Sequence, residues 1–550
     1  MDREITPGGD GGSVDRARYV VRNEEESVAE VTSVEKASTM WELVEARAAA
    51  TPDVVALIED DREITFKELR DISERVAAGF HEFGMRHGSR VTWQLPTRIE
   101  TVITSLALAR IGAVQNPIIP IYRDREVGFV LQQTDAEYFL IPGDWNGFDF
   151  NAMAGRIMDD LGIEPTVMIA YDQLPQAEPY TLPPAPTNGD EVRWIYYTSG
   201  TTSAPKGVRH TDGTLMAGGL GLANAVSLTA DDIGSIAFPY AHIAGPDYLM
   251  MLLYRGCGAV LIEAFSLDVA VELFARKGAT MAGGGPAFYQ MYLAKQRTQP
   301  GEKIIPSLRL LSGGGAPKPP EMYVEVMAEM GIPVCHGYGM TECPMISQSG
   351  PDDTEAQLMY TDGKPVTACE IRIVTLEGAV ASQGQDGEVR LKGPMVFKGY
   401  TDPSLNADAF DDEGWFRTGD VGHLDADGHV VLTGRLKDVI IRKGENISAK
   451  EIEDLLYQHP KVGDVAVIGL PDKERGERVC AVVERAAGID DLEFGEMVSF
   501  LKGADLMVQK IPEQLEVVDE LPRNQTLRKV LKQDLRDMYR DKPWSPAPRS

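Results

Sequence analysis

The sequence predicts an α/β protein built of layered sheets and helices, and three observations predict it. Apolar residues at helical spacing alternate with short apolar runs of strand type through the first part of the chain. Glycine-rich turns follow strand-like runs at Gly283-Gly284-Gly285-Pro286 and Ser312-Gly313-Gly314-Gly315. Backbone bare of side chains lets a flat ligand lie close at such turns. The chain has 550 residues, more than one core organises at roughly 150 residues per domain.

Residues 1–38 are rich in Gly, Ser, Glu and Asp and read as a mobile or loosely packed lead-in. A helical pattern starts near Thr39, with Met40, Leu43 and Val44, and stops at Pro52. Val54–Ile58 reads as a strand. Thr65 with Glu68 forms a capping box, opening a helix through Leu69, Ile72, Val76 and Phe80. A further helix spans about Glu100 to Arg110, before the strand-like Ala113-Val114 and a Pro-punctuated run to Pro120. Trp194–Tyr197 is a buried strand. Residues 364 to 400 are β-rich, as in a small barrel.

Hydrophobic content of 43% and charged content of 25% suit a soluble globular protein. The net charge of −30 argues against nucleic acid or an anionic membrane as a partner, because the surface repels phosphates. A nucleotide site must therefore bring its own positive charge. Five cysteines lack a CxxC spacing, so neither a zinc cluster nor a disulfide framework is indicated. No apolar run is long enough to span a bilayer. The polar N-terminus has no signal-peptide core, which makes the cytoplasm the expected compartment.

The chemistry concentrates after Tyr197. Thr198, Ser199, Gly200, Thr201 and Thr202 lead to Pro205-Lys206-Gly207. Hydroxyls, glycine-exposed N–H groups and one lysine together suit a polyphosphate. It is not the common P-loop, which needs Gly before the lysine and Ser or Thr after it. Further on, His242 sits in a Pro- and Gly-bounded loop among aromatics. His336-Gly337-Tyr338-Gly339-Met340-Thr341-Glu342 follows. Tyr338 between glycines can present an exposed ring to a purine. Thr341 offers a hydroxyl to phosphate, and Glu342 is an oxygen ligand of the kind Mg²⁺ prefers. Asp420 can accept ribose hydroxyls, and Arg435 can reach ribose or phosphate.

The stretch from Thr198 to Gly207 closely resembles the phosphate loop of the adenylate-forming superfamily, which includes acyl-CoA synthetases, firefly luciferase and peptide-synthetase adenylation domains. The likeness runs over about residues 39 to 540, with the later motifs in the family's order. It implies a large N-terminal domain, 39–436, of layered α/β subdomains plus a small β-barrel. A small mobile α+β C-terminal lid, 437–550, follows, with the hinge at Lys437. It implies ATP, Mg²⁺ and coenzyme A as co-substrates and cofactor. Thr198–Thr202, Lys206, Gly313, Gly314, Gly315, His336, Gly337, Tyr338, Thr341, Asp420 and Arg435 would hold the nucleotide, with Glu342 on the metal. Lys443 and Gly444 resemble the loop near the CoA thiol channel. Lys206, Thr341, Glu342 and a C-terminal lysine would carry catalysis. Dimers are common in the family.

The C-terminal motif departs from the pattern. The family ends on a lysine in a Leu-Pro-Arg-Thr-x-Ser-Gly-Lys-like run, and here Leu521-Pro522-Arg523-Asn524-Gln525-Thr526-Leu527-Arg528-Lys529 stands. Ungapped alignment puts Arg528 in the lysine's place, and one inserted residue puts Lys529 there; Lys532 lies close by. Arg and Lys are not interchangeable at such a position, and the reading adopted is Lys529. The acid is expected to be bulky: medium-chain, alicyclic or a steroid side-chain acid. The run Gln115–Arg123 resembles bacterial ligases for cyclic or medium-chain acids and carnitine-like acids. The pocket candidates are His242, Gly284, Gly285 and Met340, whose paired glycines are expected to leave room. An enzyme loading a carrier protein, and a non-catalytic acyl-nucleotide binder, are the alternatives.

Overall fold

The computed structural model describes residues 34–198, 205–443, 445–523, 530–540 and 542. Among the described residues the predicted alternation forms three large sheets in the first two thirds of the chain, besides a two-stranded ribbon of Asp144–Trp145 with Phe148–Asp149. The widest has six strands, in the spatial order Gly207–Thr211, Val192–Tyr197, Val114–Pro117, Arg90–Trp93, Tyr138–Ile141 and Thr166–Ile169. Its pairings are parallel apart from the edge pair, where Gly207–Thr211 runs antiparallel to Val192–Tyr197. A second sheet orders Ile233–Ile236, Gly258–Leu261, Val55–Glu59 and Arg62–Thr65. The third orders Met281–Gly284, Leu310–Gly314, Val334–Met340, Cys343–Gln348 and Lys364–Pro365.

Local chemistry explains where helices start. Thr65 Oγ1 accepts the Glu68 N–H while the Glu68 carboxylate takes the Thr65 N–H, completing the expected capping box at Phe66–Glu82. Thr39 caps Met40–Ala50 in the same way, through the Glu42 N–H. Helix Ile99–Ile111 is buried on every side, which is why its sequence shows no polar face. Asp212, 1% exposed, joins these layers. It accepts from Trp194 Nε1 at 2.8 Å, from Arg193 at 3.1 Å and from the Met40 N–H at 3.2 Å.

The β-rich stretch supplies a four-stranded antiparallel sheet: Glu370–Val374, Gly387–Lys392, Phe416–Leu424 and Val430–Arg435. It encloses Val389, Leu391, Phe397 and Phe416. Beyond it, Ile440–Arg442, Glu445–Ile447, Val462–Asp472, Gly476–Arg485 and Gln514–Val518 make a separate sheet, accompanied by helices Ala449–Leu456, Phe494–Gly503 and Lys532–Tyr539. Its apolar clusters draw only on residues from Ile440 onward, and those of the preceding sheets end at Leu432. No helix among the described residues is long and apolar enough to cross a membrane.

Glycines set the spacing of the third sheet. A Cβ on Gly313 would stand 2.2 Å from the Gly284 carbonyl oxygen, and one on Gly314 2.1 Å from that of Gly337. Neither obstacle is a flexible side chain, so the strands themselves would have to part. Gly314→Ala is therefore expected to cost about 3 kcal/mol in urea unfolding. Gly155 lies on the exposed face of helix Phe150–Leu161 with open space around it. Gly155→Ala should instead stabilise by up to about 1 kcal/mol.

Candidate functional site

The lysine loop closes an antiparallel pair. Tyr197 faces Gly207 and Tyr196 faces Val208. The Thr198 N–H donates to the Lys206 carbonyl at 3.1 Å, and the Lys206 N–H to Thr198 Oγ1 at 3.3 Å. Thr198 thus pins the loop's neck and delivers Lys206 to one rim. Ser199, Gly200, Thr201, Thr202, Gly444 and Lys529 lie outside the described residues, as does Arg528. Lys206 Nζ stands over the Tyr400 ring, 5.0 Å from its centroid, a cation–π arrangement. The Tyr400 hydroxyl in turn donates to Glu342 Oε1 at 2.8 Å.

Glu342 is 6% exposed. Burial pushes its carboxyl above the ordinary range, and Asp420 adds to the rise; the Tyr400 hydrogen bond and the Lys206 charge pull it back down. Its neighbour Thr341 is held from behind. His210 Nε2 donates to the Thr341 carbonyl at 2.7 Å, and His210 Nδ1 lies 2.9 Å from Thr214 Oγ1. Burial holds His210 down to about 4, so the imidazole is neutral and its Nε2–H is committed to that carbonyl. Sequence reasoning missed Tyr400 and His210. His210 lies four residues beyond Lys206, on the strand Gly207–Thr211 that follows it, which is a usable signal; Tyr400 has only its Gly399-Tyr400 turn.

Tyr338 differs from expectation. Its ring is buried, 7% exposed, rather than presented to solvent, because it packs with Val208, Cys343 and Leu391. Its hydroxyl donates to Asp420 Oδ2 at 2.6 Å, while Arg435 Nε stands 3.0 Å from Asp420 Oδ1. Tyr338, Asp420 and Arg435 are therefore brought together as a chain. Both oxygens of Asp420 are engaged within the protein in this arrangement.

His242 is half-buried, and its Nδ1 accepts the Ala244 N–H at 3.3 Å. It shares a solvent-open cleft of about 340 Å³ with Thr341, Tyr196, Tyr197, Ile119 and Tyr122. Met340 is half-buried at the adjoining turn and pairs with Cys343. The expectation that Gly284 and Gly285 leave room for a bulky group is not met. The Phe288 ring fills the place of a Gly284 side chain, at 2.8 Å, and the Gly314 carbonyl stands 2.8 Å from that of Gly285. Gly315, at φ +86°, turns the chain after the strand. Gly337 has Gln348 Oε1 where a side chain would go. His336 is buried and held down to about 3, with Nε2 3.9 Å from Asp362.

Lys437 lies in the short turn Leu436–Asp438, and burial lowers its pKa. Asp438 accepts from Arg536 at 2.6 Å. Lys443 is exposed, at φ +52°, with its N–H on the Arg475 carbonyl.

The residues fit a hard cation. No three His, Cys, Asp or Glu side chains among the described residues converge as a metal cage. A Mg²⁺ at Glu342 would thus have one carboxylate, with its remaining oxygens drawn from phosphates and water, the arrangement this ion favours.

Comparison with known proteins agrees with this geometry. The model for AMP-binding enzymes matches residues 44–401, and that for the AMP-binding enzyme C-terminal domain matches residues 451–527. The medium-chain fatty-acid–CoA ligase of Escherichia coli (strain K12) is 31% identical, over 86% of this chain and 86% of its own length. The indoleacetate–CoA ligase of Aromatoleum aromaticum is 31% identical, over 90% of this chain and 97% of its own. Among solved structures, ATP-bound MatB from Rhodopseudomonas palustris superposes with a TM-score of 0.82 at 29% identity, covering 91% of this chain and 99% of that one. The o-succinylbenzoate CoA synthetase of Bacillus subtilis with its acyl-adenylate has a TM-score of 0.78 at 28% identity, covering 92% and 99%.

Tyr400→Phe removes a donor that favours ionised Glu342, so its carboxyl should titrate at a higher pH. A cation needs the carboxylate, so divalent-cation affinity should fall about tenfold near neutrality, and more steeply as pH drops. Cation titrations of the variant across pH check this; an unmoved acid limb would separate Tyr400 from Glu342.

Proposed function

The chain belongs to the AMP-binding enzyme family and is an AMP-forming acid–thiol ligase, and we propose that its acid is a cyclic or medium-chain carboxylic acid activated in the cleft beside His242. The observation that supports this reading most is the line Lys206–Tyr400–Glu342 at the edge of an apolar cleft that also holds Thr341. Such a line would offer a positive charge and a cation ligand to a carboxylate meeting a nucleotide.

A carboxylate is a poor electrophile. Its oxygen attacks the α-phosphorus of ATP, the bond to pyrophosphate breaks, and the acyl-AMP carries a good leaving group. The CoA thiol then adds to the acyl carbon, loses its proton, and AMP departs with the former carboxylate oxygen. Neither step needs a protein nucleophile, so positioning and charge dominate. Lys206 and the N–H groups of Thr198–Thr202 would take the phosphates. A Mg²⁺ on Glu342 would neutralise the departing pyrophosphate, with the Thr341 hydroxyl on the phosphate beside it. Gly313–Gly315 and His336–Tyr338 would flank the base, and Asp420 and Arg435 the ribose; a ribose hydroxyl on Asp420 takes over a place that Arg435 holds in this arrangement. Lys529 would bridge the attacking carboxylate and the α-phosphate. Lys437 would be the hinge on which residues 437–550 turn, bringing Lys443 and Gly444 to the thiol route. Separate apolar clusters on either side of that segment favour this division.

The substrate reading rests on the cleft, not on glycines. Its walls are Ile119, Tyr122, Tyr196 and Tyr197, aliphatic and aromatic faces that suit the apolar body of a cyclic or medium-chain acid.

Pyrophosphate release should require acid, ATP and Mg²⁺, and a thioester should form only with CoA. Lys529→Ala should lower acid-dependent release at least about a hundredfold; unchanged release would move the role to Arg528 or Lys532. An acid panel giving the highest kcat/KM with palmitate would overturn the compact-acid reading.

A further inference from the structure

Two segments that line the cleft beside His242 are held from behind by one short stretch of chain. Gln94-Leu95-Pro96-Thr97 follows Arg90–Trp93, an interior strand of the widest sheet. Gln94 and Thr97 are both buried, and neither lines the cleft. A buried amide or hydroxyl is costly unless paired, so the partners show what each side chain does.

Gln94 holds the first segment. Its backbone N–H donates to the Leu140 carbonyl at 2.9 Å, which continues the sheet. Its Nε2 donates to the Ile119 carbonyl at 3.1 Å and to the Tyr122 carbonyl at 3.0 Å. Ile119 and Tyr122 both line the cleft. Its Oε1 has no hydrogen-bond partner among the described residues, so those two carbonyls alone orient the amide. Pro120 lies between them and has no N–H with which to tie the turn down. Arg123 also reaches the Pro120 and Tyr122 carbonyls, but from within the same turn. Gln94 ties that turn to the sheet, beside the Ile118 N–H on the Trp93 carbonyl at 2.8 Å.

Thr97 holds the second segment. Its Oγ1 donates to the Phe238 carbonyl at 3.0 Å and accepts the Tyr240 N–H at 2.9 Å, so one hydroxyl brackets Pro239. The His242 N–H then turns back to the Pro239 carbonyl at 2.9 Å. Tyr240 is pinned further by its hydroxyl, 2.9 Å from Ser105 Oγ, and by its stack on Trp93. Ala241, His242 and Ile243 come directly after it and line the cleft. Between the two anchors Pro96 fixes φ, and its carbonyl accepts Thr101 Oγ1 at 2.5 Å. The separation of the two lining segments is thus set by residues that lie outside the cleft.

Resting on the ligase reading above, we propose that Gln94 and Thr97 are positioning residues that fix this separation, and with it the girth of acid the cleft accepts. Neither touches the acid or the nucleotide. An apolar pocket rejects a larger hydrocarbon only if its walls do not yield.

The test uses the full chain with hexanoate, cyclohexanecarboxylate and adamantane-1-carboxylate, acids of increasing girth. Acid-dependent pyrophosphate release gives kcat/KM for each acid and KM for ATP. Gln94→Met keeps the shape and removes both donated hydrogen bonds, and Thr97→Val removes the hydroxyl at the other segment. Each should compress the spread of kcat/KM across the acids at least about fivefold and raise the acid KM, while KM for ATP stays within about twofold. Thr97→Ser keeps the hydroxyl and should keep the original spread. Amide hydrogen exchange needs no substrate, and it should quicken at least about tenfold over 118–122 in Gln94→Met and over 240–245 in Thr97→Val. Thr97→Val alone suffices where Gln94→Met does not fold. An unchanged spread in the folded variants would overturn the proposal, as would KM for ATP rising in step with KM for acid, the mark of a general structural loss. If no acid yields pyrophosphate, the ligase reading falls alone, and the exchange rates decide the clamp: unchanged rates over both segments would overturn it.

Discussion

The arrangement depends on keeping one carboxylate out of water. Glu342 is buried beside another acid, Asp420, and that placement disfavours its charge. Left alone, such a group would hold its proton and lose its value as a ligand. Tyr400 and Lys206 supply the opposing contributions, one as a hydrogen bond and one as a charge resting on the same ring. These contributions oppose burial without cancelling it, and the carboxyl stays above the ordinary range. A fully stabilised carboxylate would gain little from a cation, and a fully destabilised one would not bind it.

Holding that balance demands a rigid turn. His210 reaches across from the strand Gly207–Thr211 and fixes the Thr341 carbonyl, tying that strand to the turn. The edge strand Gly207–Thr211 also takes Thr401 against Gly207, where a side chain would collide with the threonine hydroxyl. The loop's rim, the Thr341–Glu342 turn and the Tyr400 segment are thereby tied at three places. Glycines contribute differently in the third sheet. There they let strands approach so closely that backbone fills the space a side chain would take. The same residue type thus marks a closed seam at Gly313 and Gly314 and stands in open space on the exposed face of a helix at Gly155 and at a helix end at Gly278.

Much of this was legible from local sequence, for a physical reason. A capping box, a strand entering a hydroxyl-rich loop and a Tyr-Gly-Met-Thr-Glu turn are determined by neighbours a few residues away, so Thr65 with Glu68, Thr198 with Lys206, and Thr341 with Glu342 could be named in advance. Tyr400 and His210 could not, because their partners are 58 and 131 residues distant. Tyr338 and Gly284 misled for the same reason. A tyrosine between glycines suggests an exposed ring, and paired glycines suggest space, until the four-stranded sheet covers the first and Phe288 enters the second. The net charge of −30 concealed the local chemistry. Lys206 needs no basic surroundings when an aromatic face and a single buried carboxylate set its position.

The hinge proposed at Lys437 would let one site serve two reactions. Apolar clusters form on both sides and none bridges it, so turning one part against the other would expose little hydrocarbon. The contacts that do cross are polar. Ser448 donates to the Thr433 carbonyl, and Lys450 acts electrostatically on Asp362. Each such contact is worth about 1 kcal/mol and exchanges readily for water. Asp438 and Arg536 both lie beyond the proposed hinge and would travel together. Arg435 and Asp420 lie before it and would stay with the nucleotide. A hinge at Lys437 therefore separates groups that must remain from groups that must move.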